Sequence, residues 1–166
     1  MRVLGIDPGS RIMGLGVVEG EGDALTCLHS ASVRAGDGDL AERLRIIFDA
    51  VADVAERFRP EVAAVEQVFV ARNVRSALIL GHARGGAISA AVTRGLEVAE
   101  YSAREIKLAV VGGGGAGKEQ VQHMVRVLLG LREPPSADAA DALACAICHI
   151  HTRAGAGRIA LNGKVQ

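Results

Sequence analysis

Four carboxylates stand where a sheet covered by helices can bring them together. Asp7 and Glu66 each end an apolar run that is typical of a buried strand. Asp138 and Asp141 are three residues apart in a segment typical of a helix, so they share one helical face. Buried carboxylates are costly unless they are paired or bound to a cation, and oxygen ligands suit Mg²⁺ or Mn²⁺. The pattern predicts a site for metal-assisted cleavage of phosphate esters, with two ions about 3.5–4 Å apart.

Each acid also has an ordinary structural interpretation. Asp7 precedes Pro8 and Gly9, so its role can be simply that of a turn residue. Asp138 follows a serine at a helix start, where a negative charge complements the helix dipole. Glu66 can be paired with an arginine. Taken together these separate explanations are less convincing, because four acids from three different elements would each need one of its own.

Periodicity and turn residues predict five strands and five helices. The predicted strands are 2–7, 13–20, 25–33, 61–69 and 97–101, and the helices are 39–58, 73–94, 103–111, 118–130 and 137–152. This order predicts an α/β fold with a mixed five-stranded sheet flanked by helices. If the first and fourth strands are parallel neighbours, Asp7 and Glu66 emerge at the same sheet edge.

Composition indicates one globular domain in a chain of 166 residues, 49% of them hydrophobic. We expect a single domain at 1–152 and a short basic, mobile tail at 153–166. No apolar run reaches the roughly 18 residues of a membrane span, no secretion signal is evident, and three cysteines fit a reducing cytoplasm. The net charge is zero, yet 69–118 holds seven basic and three acidic residues, whereas 36–57 holds three basic and six acidic ones.

The sequence closely resembles the RuvC family of Holliday-junction resolvases over nearly its whole length. The motifs that carry the resemblance are GIDPGS at 5–10, EQVF at 66–69, KEQVQHMV at 118–125 and DAADAL at 138–143. It implies a ribonuclease-H-like fold and a homodimer. It also implies that the catalytic, metal-binding residues are Asp7, Glu66, Asp138 and Asp141.

The resemblance further implies a structure-selective endonuclease that depends on Mg²⁺, with Mn²⁺ as an alternative and two ions per active site. Such an enzyme resolves four-way DNA junctions by paired, symmetric nicks that leave 5′-phosphate and 3′-hydroxyl ends. Its setting is homologous recombination and DNA repair in the cytoplasm. The implied partners are the RuvA and RuvB branch-migration proteins, with no membrane and no nucleotide cofactor.

An aromatic residue among basic ones is a candidate for contacting DNA. Phe69 lies three residues beyond Glu66 and is followed by Arg72 and Arg75. An aromatic ring there can stack on an unpaired base, although a core position is the ordinary alternative. The family resemblance favours stacking at the junction.

Two lysines are candidates for holding a phosphate. Lys118 opens a helix behind the glycine run 112–117, where amide groups, helix dipole and ammonium together suit an anion. Lys107 lies in the preceding helix and can equally be a solvated surface residue. In the family, lysines that match both positions approach the DNA near the cut.

Small residues recur along the predicted helix 73–94. Gly81, Gly85 and Ser89 are spaced by four, and each glycine inside a helix costs about 1 kcal/mol relative to alanine. Close packing against another backbone would offset that cost. The neighbour can be the sheet or a second subunit, and the resemblance favours the subunit.

Parts of the sequence also fit rival classes of protein. The run GGGGAGK at 112–118 imitates a phosphate-binding P-loop, but Glu119 stands where the Mg²⁺-binding Ser or Thr belongs. GIDPGS also fits actin-like ATPases, which need two such domains and a far longer chain. The residue pattern is compatible as well with a non-catalytic junction-binding protein and with a ribonuclease H.

Overall fold

The computed structural model describes residues 1–21, 24–67 and 73–162, with side chains to residue 155. The strands are β1 (Arg2–Asp7), β2 (Ile12–Glu21), β3 (Ala24–Arg34), β4 (Val62–Glu66) and β5 (Glu97–Tyr101). The helices are α1 (Leu40–Phe58), α2 (Val74–Thr93), α3 (Ala103–Val111), α4 (Lys118–Leu128) and α5 (Ala137–Asn162). Within the described residues, the predicted order of five strands and five helices is confirmed.

The strands form one mixed sheet in the order β3-β2-β1-β4-β5. The first three strands are antiparallel to their neighbours in sequence, whereas β4 runs parallel to both β1 and β5. Ile6 is paired with Val65, so the next residues, Asp7 and Glu66, leave neighbouring parallel strands at one edge. The predicted fold class and the predicted neighbours are confirmed.

Local signals set the helix ends close to the predicted residues. The Asp39 side chain accepts a hydrogen bond from the Glu42 amide at 2.8 Å and caps α1. Ser102 and Glu105 form a reciprocal capping box at the start of α3. Arg59, with φ of 48°, ends α1 in the left-handed conformation just before Pro60.

Helix α5 is longer than the sequence predicts. Its predicted end at residue 152 is wrong, because the helix continues to Asn162 through Gly155 and Gly157. Glycine costs a helix only about 1 kcal/mol each, and the surrounding residues are good helix formers. The division into a domain and a mobile tail stays a prediction. Among the described residues, no helix has both the length and the apolar character needed to cross a lipid bilayer.

The sheet separates two hydrophobic cores. On one face, Leu4 and Ile6 of β1 pack with α1 and α2. On the other face, Val3 of β1 joins a second core with α3, α4 and α5. Because side chains alternate along a strand, Val3, Gly5 and Asp7 all point toward the face that α5 covers.

Candidate active site

Glycines on the sheet let α5 lie very close to the strands. A Cβ atom on Gly5 would be 1.8 Å from the carbonyl oxygen of Ala142, and one on Gly14 would be 1.9 Å from that of Asp138. No side chain larger than hydrogen fits these positions unless the helix moves away. On its own side of the contact, α5 carries small buried residues, among them Ala139 and Ala146. This close approach brings the first turns of α5, with their two aspartates, over the end of β1. Glycine inside a strand signals such an approach, so the sequence contained this information.

A cavity of about 440 Å³ opens at the edge of the sheet where β1 and β4 end. Its lining residues are Asp7, Pro8, Glu66, Gln67, Leu80, Ala103, Ile106, Lys107, Lys118, Val121 and Asp141. The structure thus brings together three of the four predicted acids and both predicted lysines. Asp138 lies one turn before Asp141 and is not among the lining residues, but its charge acts on Asp7.

The cluster places uncompensated negative charge around Asp7. Burial raises the pKa of the Asp7 carboxyl from 3.8 to about 7, with further contributions from the charges of Asp141, Glu66 and Asp138 in that order. The Lys118 ammonium opposes them. Near neutral pH the Asp7 carboxyl is therefore close to its pKa, and a cation bound nearby would favour its ionised form.

Burial and neighbouring charges also shift the pKa values of Glu66 and Lys118. Burial, and next the charge of Asp141, raise the pKa of Glu66 above its usual range, while Lys118 and Lys107 lower it. The pKa of Lys118 is itself raised, chiefly by Asp141, whose Oδ2 lies 3.4 Å from Nζ. Acids and two lysine side chains thus line the same cavity.

Hydrogen bonds to main-chain carbonyls hold the segments around the site. The Nε atom of Arg43 on α1 donates to the carbonyl of Ser10 at 3.0 Å, which fixes the turn after Asp7. The Gln122 amide on α4 donates to the carbonyl of Pro135 at 2.7 Å, just before α5. The sequence gives no signal for these contacts, because every residue carries a carbonyl that can accept a hydrogen bond.

Of the three remaining residues predicted to contact DNA, the structure describes only one. Arg75 is exposed in the first turn of α2. Phe69 and Arg72 lie outside the described residues. The functional roles of these three residues, and of the lysines, stay predictions.

The glycine run 112–117 is not a P-loop. It follows helix α3 rather than a strand, and Gly112, with φ of 79°, ends that helix in the left-handed conformation. The Lys118 ammonium lies 3.4 Å from Oδ2 of Asp141.

The donor set fits a hard divalent cation in an open coordination shell. Within 1–21, 24–67 and 73–162, no group of three or more His, Cys, Asp or Glu side chains is preassembled to hold a metal ion. Mg²⁺ is commonly held by one or two carboxylates, with waters and substrate phosphates completing its shell. The carboxylates of the cavity suit that arrangement, since all their donors are oxygen, and burial together with the neighbouring acids raises the pKa of Asp7.

An antiparallel three-stranded unit extended by two parallel strands, with acids at two strand ends and on a covering helix, defines a ribonuclease-H-like nuclease. The model of the family described as "Crossover junction endodeoxyribonuclease RuvC" matches residues 3–149. The chain belongs to this family. The predicted class, an endonuclease acting on DNA crossover junctions, is confirmed, and nucleases of the family depend on a metal.

Relatives and solved structures agree along almost the full length. The crossover junction endodeoxyribonuclease RuvC of Marinobacter nauticus is 55% identical over 161 residues, covering 97% of this chain and 92% of that one. The protein of the same name from Alkalilimnicola ehrlichii is 57% identical over 150 residues, covering 90% and 91%. The Thermus thermophilus RuvC structure in complex with a Holliday junction substrate has a TM-score of 0.87 at 40% identity, covering 93% and 96%.

Proposed function

We propose that this protein resolves four-way DNA junctions by paired, symmetric nicks that leave 5′-phosphate and 3′-hydroxyl ends. The catalytic carboxylates of this proposal are Asp7, Glu66, Asp138 and Asp141. The observation that carries it is the single cavity lined by acids from β1, β4 and α5, with the pKa of Asp7 raised to about 7. The Thermus relative, solved with a Holliday junction substrate, supports the choice of substrate.

These carboxylates would hold two Mg²⁺ ions, or Mn²⁺ ions in their place. When bound, the metal supplies an activated water and neutralises the charge that develops on the leaving oxygen. The chain's own contribution is to fix the acids: the turn after β1 orients Asp7, the end of β4 orients Glu66, and α5 carries Asp138 and Asp141.

Basic residues around the cavity would bind the DNA backbone and the branch point. Lys107 and Lys118 line the cavity, where their ammonium groups can hold the phosphate that is cut. Phe69 would stack on an unpaired base at the branch point, and Arg72 and Arg75 would hold the neighbouring arm. Replacing one phosphate-binding lysine with glutamine should reduce the slope of junction affinity against salt by about one.

A second copy of this chain is the partner proposed for α2. That helix exposes an apolar face at which Val74, Leu78 and Val92 are 78%, 61% and 57% exposed. Gly81 and Gly85 have nothing within 4 Å of an added Cβ, so another backbone can approach closely there. A two-fold dimer suits a substrate that must be cut symmetrically. Leu78→Glu should convert a dimer to monomers in sedimentation without lowering the melting temperature of the monomer, and a wild-type monomer at micromolar concentration would contradict the proposal.

The cellular setting follows from the substrate. Such junctions arise in homologous recombination and DNA repair, and we place the protein in the cytoplasm beside the bacterial chromosome. The unpaired thiols of Cys27, Cys145 and Cys148 are compatible with a reducing compartment. RuvA and RuvB, the branch-migration proteins, are the proposed assembly partners.

Asp7→Asn tests the catalytic assignment directly. The variant should nick a synthetic four-way junction at least about 1,000-fold more slowly in Mg²⁺, because the loss of one metal-holding charge removes several kcal/mol of transition-state stabilisation. Junction affinity, measured by gel shift in Ca²⁺, should stay within a few-fold. Asp49→Asn is the matched control, since Asp49 is exposed and pairs with Arg45 on α1, away from the cavity.

Three substrates separate the candidate activities. Wild-type protein should cut the four-way junction and leave a linear duplex and an RNA–DNA hybrid intact. Junction binding without nicking in any divalent metal would indicate a non-catalytic binding protein. Cleavage of the hybrid would indicate a ribonuclease H, and normal nicking by Asp7→Asn would show that the site assignment is wrong.

A further inference from the structure

Arg84, on the inner side of α2, joins three elements at the end of β4. Its Nε atom donates a hydrogen bond to the main-chain carbonyl of Glu66 at 3.3 Å. Its Nη2 atom pairs with Oε2 of Glu100 on β5 at 2.5 Å. The Arg84 side chain is 23% exposed, so these contacts are partly shielded from water. Neither contact uses the Glu66 carboxylate, which stays directed to the cavity.

The peptide that Arg84 contacts lies at the end of β4, where β5 still supports the strand but β1 no longer does. On the β1 side, the ladder ends at the pair of Ile6 and Val65. On the β5 side, the Gln67 amide donates to the carbonyl of Tyr101 at 2.8 Å. The Glu66 carbonyl thus gains its side-chain donor from α2. Because a guanidinium is a planar fork of several donors, one arginine can bind this carbonyl and Glu100 at the same time.

We propose that Arg84 is a positioning residue for the active site, which holds the Glu66 main chain so that its carboxylate faces Asp7 and Asp141. This inference rests on the proposed metal-holding role of Glu66. Fixing the peptide restricts the directions that the carboxylate can take, as hydrogen bonds behind metal ligands generally do. It also ties the catalytic edge of the sheet to the helix that presents the exposed apolar face.

The test compares Arg84→Gln, Arg84→Lys and Glu100→Gln with a matched control at the C-terminal cap of the same helix. Arg94 pairs with Glu56 at 3.2 Å at the far end of the helix, so Arg94→Gln removes a similar ion pair away from the cavity. Three quantities are measured: Mn²⁺ affinity of the DNA-free protein by electron paramagnetic resonance, single-turnover nicking at saturating junction, and junction affinity in Ca²⁺. Melting temperature without metal is the check on folding.

Arg84→Gln should weaken Mn²⁺ binding and slow nicking about 10- to 100-fold, the usual effect of removing a partner behind a metal ligand. Junction affinity should stay within two-fold, because Arg84 does not touch DNA in this proposal. Arg84→Lys should recover part of the loss, since it keeps the charge and one donor nitrogen. Glu100→Gln should show the same defects at smaller size, and Arg94→Gln should match the wild type.

The outcomes separate this inference from the proposed function. Wild-type Mn²⁺ affinity and nicking rate in Arg84→Gln would overturn the positioning role while leaving the nuclease intact. If that variant does not fold, wild-type values in both Arg84→Lys and Glu100→Gln would overturn it instead. Failure of the wild-type protein itself to nick junctions contradicts the proposed function, whatever Arg84 does to Mn²⁺ binding.

Discussion

The two faces of the sheet pack against their helices in different ways. The face toward α1 and α2 is filled by large aliphatic side chains such as Leu4, Ile6 and Leu15, all fully buried. The face toward α5 contains Gly5 and Gly14 directly against the helix backbone. The first face stabilises by side-chain volume, whereas the second lets a helix come close enough to deliver acids to the sheet edge. The acids thus gather on the face where glycines at particular strand positions let the helix backbone come close.

The helices of the two faces divide the work on the site. Helix α5 brings Asp138 and Asp141 from its own face. From the opposite face, Arg43 of α1 holds the turn after Asp7, and Arg84 of α2 holds the carbonyl of Glu66. The acids of α5 therefore arrive from one side of the sheet, while the strand ends that carry their partners are fixed from the other.

The largest effect should come from adding a single methyl group on the α5 face. In Gly5→Ala the new Cβ would meet the Ala142 carbonyl oxygen at 1.8 Å, so α5 must shift away from β1. We expect a loss of about 3 kcal/mol or more in the free energy of unfolding, because both sides of the contact are backbone and cannot rotate aside. Urea unfolding measures it. A loss below about 1 kcal/mol would show that α5 moves freely and that the close approach is not a constraint.

The second prediction concerns the acids at the edge of that face. Asp7 has a pKa that folding raises from 3.8 to about 7, mainly through burial. The charged form of Asp7 is disfavoured in the folded state. Ionisation of Asp7 therefore lowers the free energy of unfolding progressively as pH rises from about 4 to 7. Without divalent metal, Asp7→Asn should remove this loss and be more stable than the wild type by roughly 2–3 kcal/mol at pH 8.

Unfolding curves in EDTA at about pH 4 and about pH 8 test whether Asp7→Asn is more stable than the wild type and whether the difference grows with pH. The two proteins should be closest in stability at the lower pH, where the folded wild-type carboxyl is protonated, and diverge at the higher one. Saturating Mg²⁺ should narrow the gap, since a cation compensates the charge in the wild type alone. Equal dependence on pH in both proteins would mean that Asp7 ionises freely in the folded protein and that burial does not raise its pKa.

Much of this comparison could be predicted from the sequence. Strand alternation and parallel pairing placed Asp7 beside Glu66, and i, i+3 spacing placed Asp138 with Asp141, because regular geometry converts spacing into direction. The glycines of β1 and β2 were a readable signal for close helix packing that the strand assignment alone passed over.

The remainder has no local signal. Arg84 and Arg43 bind carbonyl oxygens, which every residue offers, so only the fold selects their partners. The true end of α5 was missed because Gly155 and Gly157 look like helix breakers, whereas their cost is small beside the good helix formers around them. Phe69 and Arg72 lie outside the described residues, so their placement stays a prediction.

The smallest effect should come from removing a methyl group on the opposite face. Ile6 is fully buried among aliphatic side chains next in sequence to Asp7. Ile6→Val deletes one methyl without forcing any backbone to move, so we expect a loss of about 1 kcal/mol in urea unfolding. Nicking should be nearly unchanged, because Ile6 points away from α5. If Ile6→Val cost as much stability as Gly5→Ala, the two faces would be equally intolerant, and close backbone contact would not be what sets the α5 face apart.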